Sequence, residues 1–515
     1  MSSPKSPFHP FERPIHSATR MLGHVYLIGA GPGDPQLITL RGVQCLKKAD
    51  VVLYDGLVNP QLLVHAADAE LVCVGKHGQQ RIWTQDEIQE EMLRMARQGR
   101  IVARLKGGDP AVFARGAEET AALSEAGISF EVVPGITAAL AAGSFTGIPI
   151  THRHHASAVA LVTGHQKDND ATDLDWNALA KFPGTLVIYM GVTTAQTWTQ
   201  ALIDGGKPAD TPAAIVRRCT WSDQQVFRCT LGEIALRLSP ASKIRPPAIV
   251  IVGPVADLPE QLDWFDHRPL SGQRILVTRP DGQAGELGDA LRELGADPLY
   301  QPAIEIVPPP DWSDVDATIS QLGEVDWIVF SSRNGVQFYL DRILRLGHDM
   351  RLLGGGQIAA VGDRTAEALQ GYGLRADLVP ADFEAESLAA SLSPQAAGKQ
   401  VLSVRASRGR DVLRQHLADA GASVREVVAY QNRDVIDADA KIRQQMADGQ
   451  IDWTTVTSSA IARSLVQMFG ESLHQTKLAS LSPVTSQTLK GLGFSVACEA
   501  EHYTIDGLVK AIAQV

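Results

Sequence analysis

Short apolar runs alternate with stretches of helical spacing along most of this chain. Val25–Ile28, Val51–Tyr54, Val72–Val74 and Ile101–Leu105 each read as a short buried strand. Leu40, Val43 and Leu46 mark one face of a helix between the first two. Further strands are expected at Ala158–Thr163, Thr185–Met190, Ala213–Arg217 and Ala248–Val252. Strands interleaved with helices predict an α/β fold. Prolines, acids and the Asp263-Trp264-Phe265 triplet between Gly253 and Gln273 read as the end of one domain and a tether.

Beyond that point the pattern repeats itself. Arg274-Ile-Leu-Val-Thr-Arg279 aligns with Gln400-Val-Leu-Ser-Val-Arg405, and Gly295-Ala296 with Gly421-Ala422 at the same shift. Val361 to Leu369 aligns with Leu481 to Leu489, and Val329-Phe-Ser-Ser332 echoes Val456-Thr-Ser-Ser459. Several matches in one order indicate duplication, hence two small parallel-sheet lobes.

A chain of 515 residues exceeds what one core can organise, and a 44% hydrophobic, 20% charged composition is that of a globular protein. The net charge of −11 argues against a general nucleic-acid binder, so anionic ligands need local Arg and Lys. Five cysteines without a C-x-x-C pair fit a reducing cytoplasm, with no metal site and no disulfide framework. No apolar run is long enough for a membrane span. Residues 1–21 read as a loose tail without a signal-peptide core.

Candidate chemistry gathers where strands end. Gly29-Ala-Gly-Pro-Gly-Asp-Pro35 follows the first strand, but its third glycine comes one residue too early for a dinucleotide fingerprint, and Pro32 and Pro35 disturb the helix entry. Asp55 follows the second strand; it is either a reactive carboxylate or a turn residue before Gly56. Arg104-Leu-Lys-Gly-Gly-Asp-Pro110 breaks the fourth strand with a glycine turn, and Glu118 and Glu119 then open a helix. This stretch is either a ligand-approach turn or a solvated charge cluster. Val132-Val-Pro-Gly-Ile-Thr-Ala138 leads into an alanine-rich helix. Thr151-His-Arg-His-His155 has no zinc spacing and reads as a basic loop.

GAGPGDP, YDGLV, VGK, RLKGGDPAVFARG, VPGITAA, GIPITHR, LVTGH, YMG and PPAIVIVG stand here in the order found in uroporphyrinogen-III C-methyltransferases. Residues 22–266 therefore resemble that tetrapyrrole methylase family. The resemblance implies two α/β subdomains holding S-adenosylmethionine, with no phosphate to cradle. By position it implies cofactor contacts from Pro32, Gly107, Gly108, Asp109, Val112, Thr137, Ala138 and Met190, and from Cys219, where some relatives have glycine. Asp55 resembles the family's proton acceptor and Lys76 its proton donor. Arg104, Lys106, Arg115 and Arg153 are candidates for substrate carboxylates. The family also implies a homodimer through this half.

After a linker at 267–273, residues 274–515 resemble uroporphyrinogen-III synthase. Its chain crosses to a second lobe and returns, here lobe 1 at about 274–308 and 435–515 and lobe 2 at about 309–434. Tyr430 matches a tyrosine often assigned to help the bilane hydroxyl leave; alternatively it packs beside the hinge. Ser332, Asn334, Gly335, Thr365, Thr457, Ser458 and Thr485, with Arg279, Arg333 and Arg405, are candidates for bilane carboxylates or else turn and cap residues. Together the two resemblances imply cyclisation of hydroxymethylbilane to uroporphyrinogen III and its double methylation to precorrin-2, feeding sirohaem or cobalamin synthesis. A dehydrogenase–chelatase domain sometimes fused in front is expected to be absent, with later steps elsewhere. The alternatives are an rRNA methyltransferase, disfavoured by the acidic balance, and a methyltransferase carrying a non-catalytic bilane-binding half.

Overall fold

The computed structural model describes residues 22–75, 83–165, 174–242, 244–381, 385–408 and 411–515. The chain divides into two compact units, one ending at Gly272 and one beginning at Gln273.

The first unit contains two sheets. β1 (His24–Gly29), β2 (Val51–Tyr54), β3 (Glu70–Cys73), β4 (Ile101–Lys106) and β5 (Ser129–Val133) form a parallel sheet in the order β3-β2-β4-β1-β5. Alternate residues feed two cores, because successive side chains of a strand point to opposite faces. Ile28, Val52 and Leu105 join one core, with Leu46 of the helix Leu40–Leu46. Leu27, Leu53 and Val102 join the other, with Met92 of the helix Gln85–Arg97 and Leu123 of the helix Gly116–Glu125. Burial on both faces explains the continuous apolar runs in the sequence.

The second sheet is β6 (Val159–Thr163), β7 (Thr185–Tyr189), β8 (Pro212–Arg217), β9 (Gln225–Thr230) and β10 (Ala248–Val252), ordered β6-β7-β10-β8-β9. Only the β6–β7 pair is parallel. Strand β9 has no counterpart in the sequence expectations. It is an edge strand of partly exposed side chains, so it lacks an apolar run. The stretch expected as a tether is instead packed on the first unit. Trp264 Nε1 donates to the Ser144 carbonyl at 2.8 Å, and Phe145 packs on both Trp264 and Phe265.

The second unit begins with β11 (Arg274–Val277), β12 (Asp297–Tyr300) and β13 (Ile304–Val307), then β14 (Trp327–Phe330), β15 (Gln357–Ala360), β16 (Gln400–Ala406) and β17 (Ser423–Asp434). It closes with β18 (Trp453–Val456), β19 (Lys477–Ser480) and β20 (Cys498–Glu499). One sheet runs β12-β11-β18-β19-β20, the other β13-β17-β16-β14-β15. The repeat matches pair β11 with β16 and β14 with β18, which occupy equivalent places. The chain leaves the first sheet after β12 and returns after β17, so the second copy is permuted in sequence and not in space. Gly295 and Gly421 both take positive φ, 99° and 87°, between a helix and the next strand, a conformation glycine reaches without steric cost. The first lobe was expected to run to residue 308, but β13 belongs to the second sheet, pairing antiparallel with β17. Only a three-residue gap separates it from β12, so in sequence it looks like a continuation of the first lobe.

Candidate active sites

The glycine turns of the first unit meet at the carboxyl ends of β1, β4 and β5. Gly31 and Gly108 exchange backbone hydrogen bonds at 2.8 and 3.2 Å, and Ala30 N–H donates to the Lys106 carbonyl. A Cβ on Gly29 would stand 2.5 Å from the backbone of Gly135 and 2.8 Å from the Gly108 carbonyl, so no side chain fits there. Gly108 itself has φ +71°. Asp109 holds this junction: one oxygen accepts from Ala111 N–H at 2.8 Å, the other from Gly135 N–H at 2.9 Å. Its carboxylate therefore ties the turn to the β5 loop.

Asp55 sits one residue past β2, with its side chain 29% exposed. Arg104 Nη2 donates to Asp55 Oδ1 at 2.5 Å, and Arg104 Nε to Glu119 Oε1 at 3.3 Å. Lys106 Nζ lies 2.8 and 2.9 Å from the two Glu119 oxygens, and Gln85 adds an amide at 3.1 Å. Arg104, Lys106 and Glu119 are buried. Burial opposes the charge on Arg104, but Asp55 and Glu119 outweigh it and its pKa moves up. For Lys106, burial and then the neighbouring guanidinium win, and its pKa moves down. The expectation that Arg104 and Lys106 hold substrate carboxylates is thus corrected: both cations are interior and committed. Arg115 and Arg153 are exposed. Lys76 lies outside the described residues.

The second subdomain packs against these turns. Val112 and Ala138 pack on a cluster that includes Tyr189 and Cys219. Tyr189 Oη is 2.6 Å from Thr137 Oγ1 and accepts from Ala139 N–H at 2.9 Å, filling the capping role that Thr137 leaves open at the start of the helix Ala138–Phe145. Met190 follows with φ +51° and a half-exposed side chain. Cys219 is buried, which pushes its thiol pKa well up. Pro32 and Gly107 are partly exposed, and the carbonyl of Gly33 accepts from the buried Asn59 amide at 2.8 Å. Asn59 was not singled out in the sequence, where it reads as the cap of a short 3₁₀ turn, a role it also performs.

In the second unit Tyr430 is buried inside β17, four residues before its end. Its hydroxyl lies 2.9 Å from Ser332 Oγ, and its ring stacks on Phe338. Burial raises its pKa, against hydrogen bonds from Ser332 and Asn334. Ser332 and Ser458 are equivalent N-caps, accepting from Gly335 N–H and Ile461 N–H. The Thr365 and Thr485 side chains are buried, which corrects their assignment as carboxylate donors; Thr457 and Asn334 remain partly exposed. Arg405 is held by Asp411 and Glu426 and is likewise committed. Arg279 is different. Burial first, then the charges of Arg333 and Arg364, push its pKa down against Glu286. Arg279 Nη2 donates to Gln283, whose amide reaches Asn334 at 3.4 Å. Arg364, absent from the sequence candidates, pairs with Glu286 at 3.1 Å.

Among the described residues no group of His, Cys, Asp and Glu is placed to hold a metal, and no helix is long and apolar enough to cross a membrane.

Fold and sites define two α/β enzymes in tandem. Residues 24–235 match the family model of tetrapyrrole (corrin/porphyrin) methylases, and residues 285–510 match that of uroporphyrinogen-III synthase HemD. Porphyrin biosynthesis protein HemD of Ruminiclostridium josui is 35% identical over 500 residues, covering 96% of this chain and 98% of its own length. The chain belongs to the family in which a tetrapyrrole methylase is fused to a uroporphyrinogen-III synthase, and it is a bifunctional transferase and lyase. Siroheme synthase 1 of Yersinia pseudotuberculosis is 47% identical over 257 residues, 50% of this chain; the chain spans 54% of that protein's length. The solved uroporphyrin-III C-methyl transferase from Thermus thermophilus, complexed with S-adenyl homocysteine, is 40% identical with a TM-score of 0.40, covering 46% of this chain and 100% of that one.

Proposed function

We propose that the second unit closes hydroxymethylbilane to uroporphyrinogen III and that the first methylates this product twice, with S-adenosylmethionine, to precorrin-2 for sirohaem or cobalamin synthesis. The observation that carries the methylase reading is Asp55, a partly exposed carboxylate fixed from behind by a buried arginine.

The donor set fits the methyl donor. Glycine backbones at 107 and 108 admit close approach, and Val112, Ala138 and Met190 offer apolar surface. Arg104 and Lys106, the cations nearest the turn in sequence, are engaged by Asp55 and Glu119, so a pyrophosphate finds no counter-charge from them. Pro32, Gly107, Gly108, Asp109, Val112, Thr137, Ala138, Met190 and the Cys219 backbone are the proposed contacts. S-adenosylmethionine supplies an electrophilic sulfonium methyl when bound. The chain then needs only to align the pyrrole carbon with it, and alignment is worth several powers of ten. Asp55 takes the proton released as the pyrrole π system reorganises, and Arg104 keeps that carboxylate aimed. Lys76 is the proposed proton donor, and Arg115 and Arg153 are the exposed cations left for substrate carboxylates.

For the synthase, Arg279 lies near the like charges of Arg333 and Arg364, offset by the single carboxylate of Glu286, a cationic group that suits a substrate bearing many carboxylates. Tyr430, Ser332 and Asn334 form a hydrogen-bonded group that can assist the departing hydroxyl.

The test is to supply uroporphyrinogen III and S-adenosylmethionine to the full chain, and hydroxymethylbilane alone in a second reaction. A doubly methylated product and a type-III ring are expected. An unmethylated tetrapyrrole in the first reaction, or type-I ring in the second, contradicts the corresponding half.

A further inference from the structure

One turn of the second subdomain, next to the proposed Cys219 contact, reaches back onto the first glycine loop, and the activity described so far assigns its Thr220 and Gln224 no part. Asp34 N–H donates to Thr220 Oγ1 at 2.9 Å, across 186 positions of sequence. Thr220 N–H donates in turn to Gln224 Oε1 at 2.9 Å. The Gln224 amide nitrogen then donates to the Phe145 carbonyl at 3.1 Å and to Asp266 Oδ1 at 3.2 Å. Thr220 and Gln224 are both buried.

The turn is held in an unfavourable backbone state. Arg218 and Thr220 have φ +49° and +67°, and for a β-branched residue the left-handed region is a genuine outlier. Such a conformation persists only where its surroundings over-determine it. Trp221, between Thr220 and the rest of the turn, lies so close to Gly33 that a Cβ there would be 2.2 Å from its indole nitrogen. Arg218 stacks on Trp221 with its guanidinium 4.3 Å from the ring centre and is itself fixed by Asp223 at 2.6 Å. Three contacts thus converge on two residues of the loop: Asn59 on the Gly33 carbonyl, Trp221 on the Gly33 Cα, and Thr220 on Asp34 N–H.

We infer that Thr220 and Gln224 are positioning residues for the methyl donor: they set the Pro32-Gly33-Asp34 turn from the opposite subdomain, and Gln224 anchors that setting to the Asp263–Asp266 segment. This rests on the proposal that the turn contacts S-adenosylmethionine. Thr220 touches no reacting atom. It acts by accepting a backbone hydrogen bond that no other described group supplies to Asp34.

The test uses the full chain, with S-adenosylhomocysteine binding measured by calorimetry and KM measured separately for S-adenosylmethionine and uroporphyrinogen III. Thr220→Val keeps the shape but leaves Asp34 N–H unpaired. Its Kd for S-adenosylhomocysteine and its KM for S-adenosylmethionine should both rise about tenfold, with the KM for uroporphyrinogen III unchanged. Thr220→Ser restores the acceptor and should return both to within about twofold of native. Gln224→Met, which keeps volume and removes both amide functions, gives a second arm with a rise of about threefold confined to the same two constants. This arm decides the matter if Thr220→Val does not fold. Native affinity in Thr220→Val, or in Gln224→Met where only that variant folds, overturns the inference. So does a parallel rise in both KM values, or a failure of serine to rescue. A native chain that binds no S-adenosylhomocysteine overturns the cofactor reading itself, which is a separate outcome.

Discussion

Arg104 Nη2 reaches Asp55 Oδ1 at 2.5 Å from a side chain that is only 2% exposed, while Asp55 remains 29% exposed. An interior cation therefore steers a carboxylate whose other oxygen is free of it. If Asp55 receives the pyrrole proton, Asp55→Asn keeps the shape and removes the base. Methyl transfer should fall by about 100-fold or more, with S-adenosylhomocysteine affinity within about twofold of native. Turnover at the native rate would make Asp55 a turn residue.

Glu119 is the buried anion between two buried cations. Glu119→Gln leaves Lys106 without its carboxylate and halves the support of Arg104. Breaking a buried ion pair from one side costs about 3–5 kcal/mol, because the surviving charge stays desolvated. The denaturation midpoint of the variant should drop accordingly. A midpoint equal to native would mean that Lys106 sheds its proton at little cost.

Tyr430 is buried, and its hydroxyl meets Ser332 Oγ, so its influence on the bilane passes through the start of the helix Arg333–Arg345. A phenol is a weak acid, and its help is a hydrogen bond more than a full transfer. Tyr430→Phe should slow the synthase about tenfold, at matched stability, and raise the share of type-I ring, since free bilane closes without inversion. Native rate and isomer ratio together would reduce Tyr430 to packing.

Asp266 has its pKa raised to about 6, by burial first and then by Asp263. The folded chain therefore holds a proton that the unfolded chain releases near 3.8, and this group's contribution to stability declines as pH rises from about 4 through about 6. Asp266→Asn removes that dependence and keeps an acceptor for Gln224. The variant should be more stable than native above pH 6, by on the order of 1 kcal/mol once solvent screening is allowed for, with no advantage below pH 4. A pH-independent difference would contradict the assignment.

Much of this molecule is legible in its sequence for identifiable reasons. The strands β1, β2 and β10 are buried on both faces and so appear as apolar runs. The glycine turns stand where a Cβ would collide with another backbone, as at Gly29 and Gly135. The repeat shifts match strands that occupy equivalent places. What escaped depends on distance along the chain. Arg104 and Lys106 look like surface charge beside a turn, and only their position in a strand flanked by buried residues, with Glu119 in the next helix, hints at an interior network. Thr220 meets Asp34 across 186 residues, and no local pattern records it. The partly exposed β9 lacks an apolar run, and nothing local in β13 records that it pairs with the distant β17.

The most direct measurement gives the full chain hydroxymethylbilane together with S-adenosylmethionine carrying an isotopically labelled methyl group, and resolves the products by mass and ring isomer. The account predicts a type-III framework carrying two labelled methyl groups, made from the open bilane by this one chain. Accumulation of type-I ring, or of type-III ring without label, would contradict it.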